Sequence, residues 1–571
     1  MMDSKAMRDS LELPAGWKLA LALGLSGYVL IILCTRPYSY VDSFNYALHI
    51  VNHYRAARGP GFDPFWDFGH ALWRPLGYLV WSLFRPILDG AFPTDRALGA
   101  GVALISISIA GGILSAVLLF LIAARISRNA WVAAAVTLGL AATDAVMNYT
   151  ASGTAYIFGG CFQFAALYFL LRVIQRDCLT LWRGVSIGIL LGISVVVWFP
   201  YCLSIPGLLC FGLLWPGPAA ADLRGRIRFL LPSAVACVLV IAAVYGAIMA
   251  RAGITSVSEA RAWVVRNRYG IEATRGYLRM VAGIPRSFFY LGQDAVTWKR
   301  VLSGGEGKRP GIREIASSGL WKVAVVYLVL GWMALRLALR NRILLACLLV
   351  AAAPILYFAA FLFDPGPPER YYPVFPLLFL AFAFLMVERA ASRFDRVIPL
   401  AFFVLMLAVN GSAMWRFDHN RGYEEAITRL DALNPRLTPN DCILVVSFPD
   451  PVFRFVSARP FDPASRYRYL IRPAIEEGTR QAAEWRQNAA ACGLDAWNRG
   501  GHMWITTRLL ARSPRPEWGW VETGDHGVRW ADFPQFFGKL ELLPPVGGPD
   551  GFAEVARSEV NRTFLSETAR Q

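Results

Sequence analysis

Long apolar runs separated by short polar segments dominate the first 414 residues of the chain. Each run approaches the ~20 residues that an α-helix needs to cross the hydrocarbon core of a bilayer. The pattern predicts a polytopic α-helical membrane protein with about eleven transmembrane helices. The predicted spans are residues 17–34, 97–124, 131–146, 155–173, 185–199, 203–214, 229–250, 320–335, 344–363, 374–387 and 397–414.

The fifth and sixth runs decide the topology. Pro200 and Pro206 either break this stretch into a hairpin of two spans or only kink one span. If the pair is a hairpin, every short loop on the same side of the membrane as the N-terminus is rich in arginine, as cytoplasmic loops are. We therefore predict a cytoplasmic N-terminus, long outer loops at residues 35–96 and 251–319, and an extracytoplasmic region after residue 414.

The first outer loop contains two segments with helical periodicity. Apolar side chains recur at helical spacing from Phe44 to Tyr54, and again from Leu72 to Leu83. Tryptophans in this loop favour amphipathic helices that lie at the membrane interface, where amphipathic aromatic rings are stable. These tryptophans are Trp66, Trp73 and Trp81.

The chain changes character after residue 414. Helical patterns at residues 424–433 and 474–491 alternate with short β-type apolar runs at residues 441–447 and 502–509. This predicts a transmembrane domain at residues 1–414 and a small extracytoplasmic α/β domain at residues 415–571. The aromatic residues predicted for its core are Trp518, Trp520, Trp530, Phe533, Phe536 and Phe537.

Composition excludes an ordinary soluble protein, because 56% of the residues are hydrophobic and only 17% are charged. The net charge of +17 does not indicate a nucleic-acid partner, since the arginines flank apolar runs where they orient helices and meet anionic headgroups. No cysteine spacing indicates a zinc or haem site. Cys442 and Cys492 lie in the polar C-terminal region, and the sequence leaves open whether they pair or stay as thiols.

Three charged positions from distant parts of the chain are predicted to meet at the outer face. Asp42 follows the first span, Asp144 lies near the outer end of the third, and Arg370 with Tyr371 lies in a late outer turn. A carboxylate there can cap a helix or act as a general base towards an acceptor hydroxyl. A guanidinium matches the geometry of a phosphate. The combination indicates transfer of a group from a phosphate carrier.

The first loop supplies further substrate-binding candidates. His70 and Arg74 are one helical turn apart and can face the same side, with Arg74 the better phosphate ligand. Tyr46 is included because it lies on the preceding amphipathic segment. His70 has a structural alternative, a buried histidine with a backbone partner. Asp63 and Asp67 are either a second acidic pair or a turn acid and a helix cap.

This arrangement resembles the GT-C glycosyltransferase superfamily, and in particular its mannosyl- and aminoarabinosyltransferase-like members. The resemblance rests on Asp42 after the first span, Asp144 in the third, the Arg370–Tyr371 turn and the C-terminal domain. It implies inverting transfer of a sugar from a polyprenyl-phosphate donor to a lipid, glycan or protein acceptor. It also implies that Asp42 is the catalytic base, that Asp144 assists with acceptor or metal, and that Arg370 holds the carrier phosphate.

The chain departs from this pattern at the position after Asp42. Many GT-C members have two adjacent acids there, whereas Ser43 follows Asp42 in this sequence. A divalent metal ion is therefore an open expectation, with no ligand set named. The alternative function is a lipid or solute transporter, but carriers place ionisable residues in mid-membrane and have repeated halves, which this sequence lacks. A third possibility is a non-catalytic assembly or sensor protein, which requires the three charged residues to be scattered.

Overall fold

The computed structural model describes most of the chain as helices. It covers residues 13–37, 41–55, 65–92, 96–176, 178–216, 223–266, 276–291, 312–313, 319–361, 368–386, 392–416, 421–446, 471–474, 484–513 and 528–570. Asp63, Trp518 and Trp520 lie outside these described residues.

Seven helices among the described residues are long and apolar enough to cross a membrane. A bent pair, α5 (Ala130–Ala141) and α6 (Asp144–Thr150), forms a further candidate span with an angle of 69° at its break. Each sequence-predicted run coincides with a helix, although several of these helices are short. The seven long helices are α1 (Trp17–Thr35), α4 (Arg96–Ser127), α7 (Ala155–Gln175), α10 (Leu223–Arg251), α13 (Leu320–Arg340), α14 (Arg342–Phe361) and α16 (Arg393–Arg416).

The shorter helices complete the order of elements. The first outer loop forms α2 (Val41–Arg55) and α3 (Trp73–Ala91), as its periodicity predicts. The Pro200 region gives α8 (Leu181–Val197) and α9 (Ile205–Leu214), joined by a 3₁₀ turn. The remaining helices before the C-terminal region are α11 (Val257–Arg266), α12 (Gly276–Arg286) and α15 (Phe375–Leu385).

Helices α8 and α9 form the hairpin that the arginine pattern requires. Gly184 of α8 packs on Phe229 of α10 and Gly188 packs on Ser233, so α8 and α10 run parallel. Arg226, near the start of α10, donates hydrogen bonds to carbonyl oxygens at the end of α9. Since α9 ends where α8 and α10 begin, it must run antiparallel to both. The prolines therefore break the stretch rather than kink it.

Two of the three tryptophans of the first loop do not lie at the lipid interface as the sequence predicts, whereas Trp66 is partly exposed. Trp73 and Trp81 are fully buried, because a close approach at Gly77 turns this face of α3 towards α4. A Cβ at Gly77 would lie 2.5 Å from Leu104 Cδ2. The opposite face of α3 carries exposed apolar side chains instead, which is the pattern of an interfacial amphipathic helix. Those side chains are Leu79, Leu83, Phe84 and Ile87.

A four-stranded sheet forms the centre of the C-terminal region. Its order is β2 (Ile471–Pro473), β1 (Cys442–Val445), β3 (Met503–Thr506) and β4 (Phe552–Glu554), and only the β3–β4 pair is antiparallel. Alternate residues of β1 enter two different apolar clusters, as the period of two in a strand requires. The helices of this region are α17 (Arg421–Leu433), α18 (Trp485–Asn498), α19 (Asp532–Phe537) and α20 (Glu559–Arg570).

The C-terminal predictions hold in part. The helix at residues 424–433 is confirmed, and both predicted strands are present but shorter, with a 3₁₀ turn at Thr507–Leu510 after the second. Trp530, Phe533, Phe536 and Phe537 are buried core residues. Of the helix predicted at residues 474–491, residues 475–483 lie outside the described residues, and the described helix spans Trp485–Asn498. Ala474 continues strand pairing by donating its N–H to the Val445 carbonyl oxygen, 2.7 Å away. Cys442 and Cys492 form a disulfide.

Candidate functional site

Asp42 lies in the first turn of α2, where the positive end of the helix dipole favours a carboxylate. Its side chain is half-buried, and its Oδ2 accepts a hydrogen bond of 3.2 Å from the Tyr156 hydroxyl. The next residue fixes the helix, because the Ser43 hydroxyl donates to the backbone carbonyl of Ser152. Asp42 is therefore held against the turn that precedes α7.

The Tyr156 hydroxyl connects Asp42 with the late outer turn. It lies within electrostatic range of Asp42, Tyr46, Glu369 and Arg370. Tyr156 itself is buried in the first turn of α7. Side chains from α2, α7 and the turn after α14 consequently meet at one end of the helical bundle.

Glu369 is the buried acid of that turn. It lies in the 3₁₀ segment Pro368–Val374, is 3% exposed, and has an Oε1 atom 3.7 Å from Arg370 Nε. Burial raises the pKa of the Glu369 carboxyl above its ordinary value, and the nearby Asp42 adds to this effect. Arg370 and a hydrogen bond with Tyr149 oppose the shift without cancelling it.

Asp144 begins α6, just after the break that follows α5. The carboxyl group is buried and interacts electrostatically with Glu369 and with two cations, Arg286 and Lys322. Its backbone N–H donates to the Phe288 carbonyl oxygen at 3.1 Å. Glu369 therefore interacts electrostatically with both Asp144 and Asp42.

Asn410 holds the backbone around Asp144 in place. It is a fully buried amide inside the apolar helix α16. Its Nδ2 donates to the carbonyl oxygens of Ala142 at 2.8 Å and Phe288 at 2.6 Å, and its Oδ1 accepts from the Tyr290 N–H at 2.8 Å. Ser287 in turn donates to the Pro368 carbonyl oxygen at 2.7 Å, next to Glu369. One amide thus fixes the helix break and, through residue 287, the outer turn.

A second polar cluster lies in the first loop around Asp67. Its Oδ2 is 3.0 Å from both Arg74 Nη1 and His70 Nδ1. Arg74 also donates to His49 Nδ1 at 3.0 Å, and its guanidinium lies 4.5 Å from the centre of the Tyr46 ring. Burial acts to raise the pKa of Asp67, but Arg74 and His70 together lower it below its usual range.

The two clusters are joined by aromatic side chains. The Tyr46 hydroxyl is 3.4 Å from His70 Nε2, and the ring centres of His70 and Tyr156 are 6.1 Å apart. Tyr156 and Tyr46 also interact electrostatically. The Asp67 cluster therefore supports the wall of the site that contains Asp42.

Solved structures share this architecture. ArnT from Cupriavidus metallidurans bound to undecaprenyl phosphate matches with a TM-score of 0.48 at 11% identity, covering 95% of this chain and 98% of that one. No protein-family model matches the chain, and no curated protein matches it in sequence. ArnT from the same organism in the apo state matches with a TM-score of 0.50 at 12% identity, covering 96% of this chain and 98% of that one. The chain has the fold of ArnT in the apo state.

Within this fold the sequence-predicted residues fall into two groups. Asp42, Asp144 and Arg370 surround Glu369 at one end of the bundle. Arg74 is only 1% exposed, and its charge is compensated by Asp67. Asp67 also accepts from the Gly69 N–H, so it is the helix cap among the two alternatives considered for it. His70 and Tyr46 belong to the same buried cluster.

Tyr371 contacts a different part of the molecule. Its ring is buried in a small apolar cluster with Ile355 and Ala359 of α14. This contact anchors the outer turn to the helix that precedes it. The roles predicted for Tyr371, Tyr46, His70 and Arg74 in substrate binding stay predictions.

The GT-C resemblance raises a divalent metal as an expectation, and the described residues do not fit one. Among them, no group of three or more His, Cys, Asp or Glu side chains has the geometry to hold a metal ion. Ser43, which stands where many GT-C members have a second acid, donates its hydroxyl to a backbone carbonyl. The chemistry proposed below therefore runs through side chains alone.

Three residues of the site are not predicted from the sequence. Glu369 is adjacent to Arg370 and could have been found as an acid in a short apolar-flanked outer turn. Asn410 carried a similar signal, as a polar amide inside an apolar span. Tyr156 carried none, since a tyrosine near the end of a membrane helix is common.

Proposed function

We propose that this chain is a membrane glycosyltransferase that moves a sugar from a polyprenyl-phosphate donor to an acceptor hydroxyl or amine at the outer face. The observation that carries the proposal is the meeting of Asp42, Tyr156, Glu369 and Arg370 at one end of a GT-C fold. It brings a half-buried acid and a cation to the same tyrosine and glutamate side chains, and inverting transfer from a phosphate carrier needs both kinds of group.

Asp42 is the catalytic base in this proposal. Its carboxylate takes the proton from the acceptor hydroxyl as the acceptor oxygen bonds to the anomeric carbon. The bond between that carbon and the phosphate oxygen breaks, and the carrier monophosphate leaves with the electron pair. The Tyr156 hydroxyl orients the carboxylate by donating to its Oδ2 atom at 3.2 Å.

Arg370 is the residue we assign to the carrier phosphate. It lies next to the buried Glu369 and is partly accessible, whereas Arg74 is buried in its contact with Asp67. A guanidinium stabilises the phosphate oxygens as negative charge develops on the leaving group. We assign Arg74, His70 and Tyr46 to positioning the wall of the site.

Two buried carboxyl oxygens support a sugar-binding role for the deeper acids. Asp144 Oδ1 and Glu369 Oε2 are buried, and neither has a hydrogen-bond partner among the described residues. Buried acceptors are normally satisfied, so such atoms indicate a ligand that donates hydrogen bonds. Sugar hydroxyls are donors of that kind. In this proposal Asp144 and Glu369 orient the transferred sugar.

The cell-envelope location belongs to the same proposal. The disulfide between Cys442 and Cys492 supports an oxidising compartment for the C-terminal region. Arginine-rich short loops at the other end support a cytoplasmic N-terminus. The acceptor is then a lipid, glycan or protein that is reached from outside the membrane.

The test uses purified protein in liposomes with a polyprenyl-phosphate-linked sugar donor and a panel of acceptors. Asp42→Asn keeps the shape of the side chain and removes the base, so transfer should fall by roughly 100-fold or more. Asp89→Asn is the matched control, because Asp89 lies on α3 in a half-exposed ion pair with Arg85, 2.9 Å away.

The two variants separate catalysis from folding. Both should elute from size exclusion like the wild type, and the Asp89→Asn protein should retain full transfer activity. Unchanged transfer by Asp42→Asn would reject Asp42 as the base. Equal losses in both variants would show that the defect comes from the charge of the outer loop in general.

A further inference from the structure

A groove with a volume of about 320 Å³ lies between α7 and α8, at their ends distant from Asp42. Its residues belong to the last turns of α7 and the first turns of α8, whereas Tyr156 lies in the first turn of α7. The groove is therefore separate from the candidate active site by the length of a membrane helix. It lies at the end of the bundle that we predict to be cytoplasmic.

Three arginines line this groove. Arg172 and Arg176 are one helical turn apart on α7, and Arg183 faces them from α8. Arg183 is held by a 2.9 Å hydrogen bond to the Cys178 carbonyl oxygen, and the Arg172 guanidinium lies 5.7 Å from the centre of the Tyr168 ring. None of the described lining residues is acidic. The groove thus concentrates positive charge.

The same groove has an apolar wall that continues onto the outer surface of the bundle. Val173 and Ile187 line it from the two helices, and Phe169 extends it with 44% of its side chain exposed. Trp182 stands beside it with 76% exposure. An exposed tryptophan next to arginines is typical of the level at which lipid headgroups lie. The cationic part of the groove is therefore followed by a surface suited to acyl chains.

We propose that this groove binds the phosphate headgroup of an anionic phospholipid from the inner leaflet, with the acyl chains lying along Phe169 and Ile187. Basic pockets between membrane helices at the cytoplasmic side are suited to such headgroups. Guanidinium groups can each donate two hydrogen bonds to phosphate oxygens. The apolar wall favours a lipid over a free phosphate ion, because an inorganic anion gains nothing from it.

Native mass spectrometry of the purified full chain tests this site. Dioleoyl phosphatidylglycerol is titrated into the protein, with dioleoyl phosphatidylcholine as the zwitterionic comparison. The wild type should retain one tightly bound phosphatidylglycerol in preference to phosphatidylcholine. The triple variant Arg172→Gln, Arg176→Gln and Arg183→Gln should bind that molecule about tenfold or more weakly, since charge-assisted hydrogen bonds are lost.

A second triple variant controls for charge. Arg224, Arg228 and Arg342 are exposed arginines near the starts of α10 and α14, outside the groove. Changing these three to glutamine removes the same charge at the same end of the bundle, and tight lipid binding should persist. Equal weakening in both triple variants would overturn the site and leave only general attraction to basic loops. Thermal midpoints in lipid-free detergent establish that both variants fold.

Two further measurements test whether the bound phosphate belongs to a lipid and whether the groove is independent of the candidate active site. Millimolar inorganic phosphate should leave the bound phosphatidylglycerol in place. Its complete displacement by phosphate would assign the groove to a free anion and overturn the lipid assignment. The Asp42→Asn protein should bind phosphatidylglycerol like the wild type, so failure of the proposed catalysis and failure of this site are distinguishable.

Discussion

Arg370 is the cation of the candidate site. The carboxyl groups of this site come from three different elements. Asp42 is on α2, Asp144 on α6, and Glu369 precedes Arg370 in the outer turn. Placing several acids together is unfavourable unless cations or ligands compensate them. Arg370 compensates Glu369, and its partial exposure leaves it accessible to a carrier phosphate.

Arg370→Gln should therefore affect donor binding more than it affects the acceptor. Losing a charge-assisted hydrogen bond to phosphate should raise the KM for the donor by about 10- to 100-fold. Arg370→Lys keeps the charge but not the planar fork, so its donor KM should lie between those of the wild type and Arg370→Gln. The measurement is the initial rate against donor concentration, with Arg85→Gln on α3 as the control. A rise in the acceptor KM with an unchanged donor KM would contradict this role.

Glu369 gives a prediction for pH. Because burial raises the pKa of Glu369 in the folded protein, the folded state binds this proton more tightly than the unfolded state does. Stability should therefore decrease as pH rises from the unfolded pKa of about 4.3 through the higher folded pKa. The stability contributed by Asp67 has the opposite pH dependence. Because the pKa of Asp67 is lowered in the folded protein, this contribution is lost only as the pH falls below about 4.

Glu369→Gln imitates the protonated carboxyl and should remove that loss. The thermal midpoint in detergent should fall less between mildly acidic and neutral pH in this variant than in the wild type. Asp89→Asn should keep the wild-type slope. Identical slopes for Glu369→Gln and the wild type would show that the folded protein does not favour protonated Glu369.

Predictability at the residue scale followed the strength of each local signal. Asp42 and Asp144 could be selected because a carboxylate at the end of an apolar run is costly unless it is solvated, paired or functional, and Arg370 because it lies in a short turn between two apolar runs. Arg74 and His70 were selected from spacing alone, which does not reveal that Asp67 already compensates Arg74. Glu369 gains its significance from contacts with residues far away in the chain, which the sequence does not encode locally.

At the element scale, pairs of helices are held by small residues that the hydrophobic pattern does not register. Gly184, Gly188 and Gly192 recur every four residues on α8 and bring its backbone against α10. Such stripes drive close packing of membrane helices, because burial of apolar surface contributes little within lipid. The apolar runs predicted both helices, but the contact between them follows only from this spacing.

Gly188 offers the sharpest test of that contact. A Cβ at this position would lie 2.1 Å from the Ser233 carbonyl oxygen, so Gly188→Ala should force the helices apart and cost about 1–3 kcal/mol of stability. Among the described residues no atom lies within 4 Å of such a Cβ at Gly246 on α10, and Gly246→Ala should be tolerated. Thermal midpoints in detergent measure both variants. Equal midpoints for Gly188→Ala and the wild type would contradict this packing.

Element boundaries were less predictable in the C-terminal region. The charged pattern from residue 474 suggested a helix, but Ala474 pairs with β1, and the described helix of this segment continues past the predicted end to Asn498. Tertiary strand pairing overrode local helical preference there. The two predicted strands were identified correctly because Ile443 to Val445 and Met503 to Ile505 are continuous apolar runs between turn residues.

At the scale of the whole molecule, the apolar runs and the arginine pattern predicted the membrane class and the α8–α9 hairpin. The ArnT-like fold agrees with the resemblance drawn from Asp42, Asp144 and Arg370. The division at residues 414 and 415 stays a prediction, as does the orientation in the membrane. A transporter and a glycosyltransferase with this fold differ in one property: only the transferase breaks the bond between sugar and phosphate.

Release of the carrier is therefore the most direct measurement. Wild-type protein in liposomes is incubated with a polyprenyl-phosphate-linked sugar and acceptor, and both products are quantified by mass spectrometry. We predict one polyprenyl monophosphate released for each sugar transferred, with both products absent in Asp42→Asn. Intact donor that has only changed leaflet, with no carrier monophosphate formed across the acceptor panel, would contradict the account.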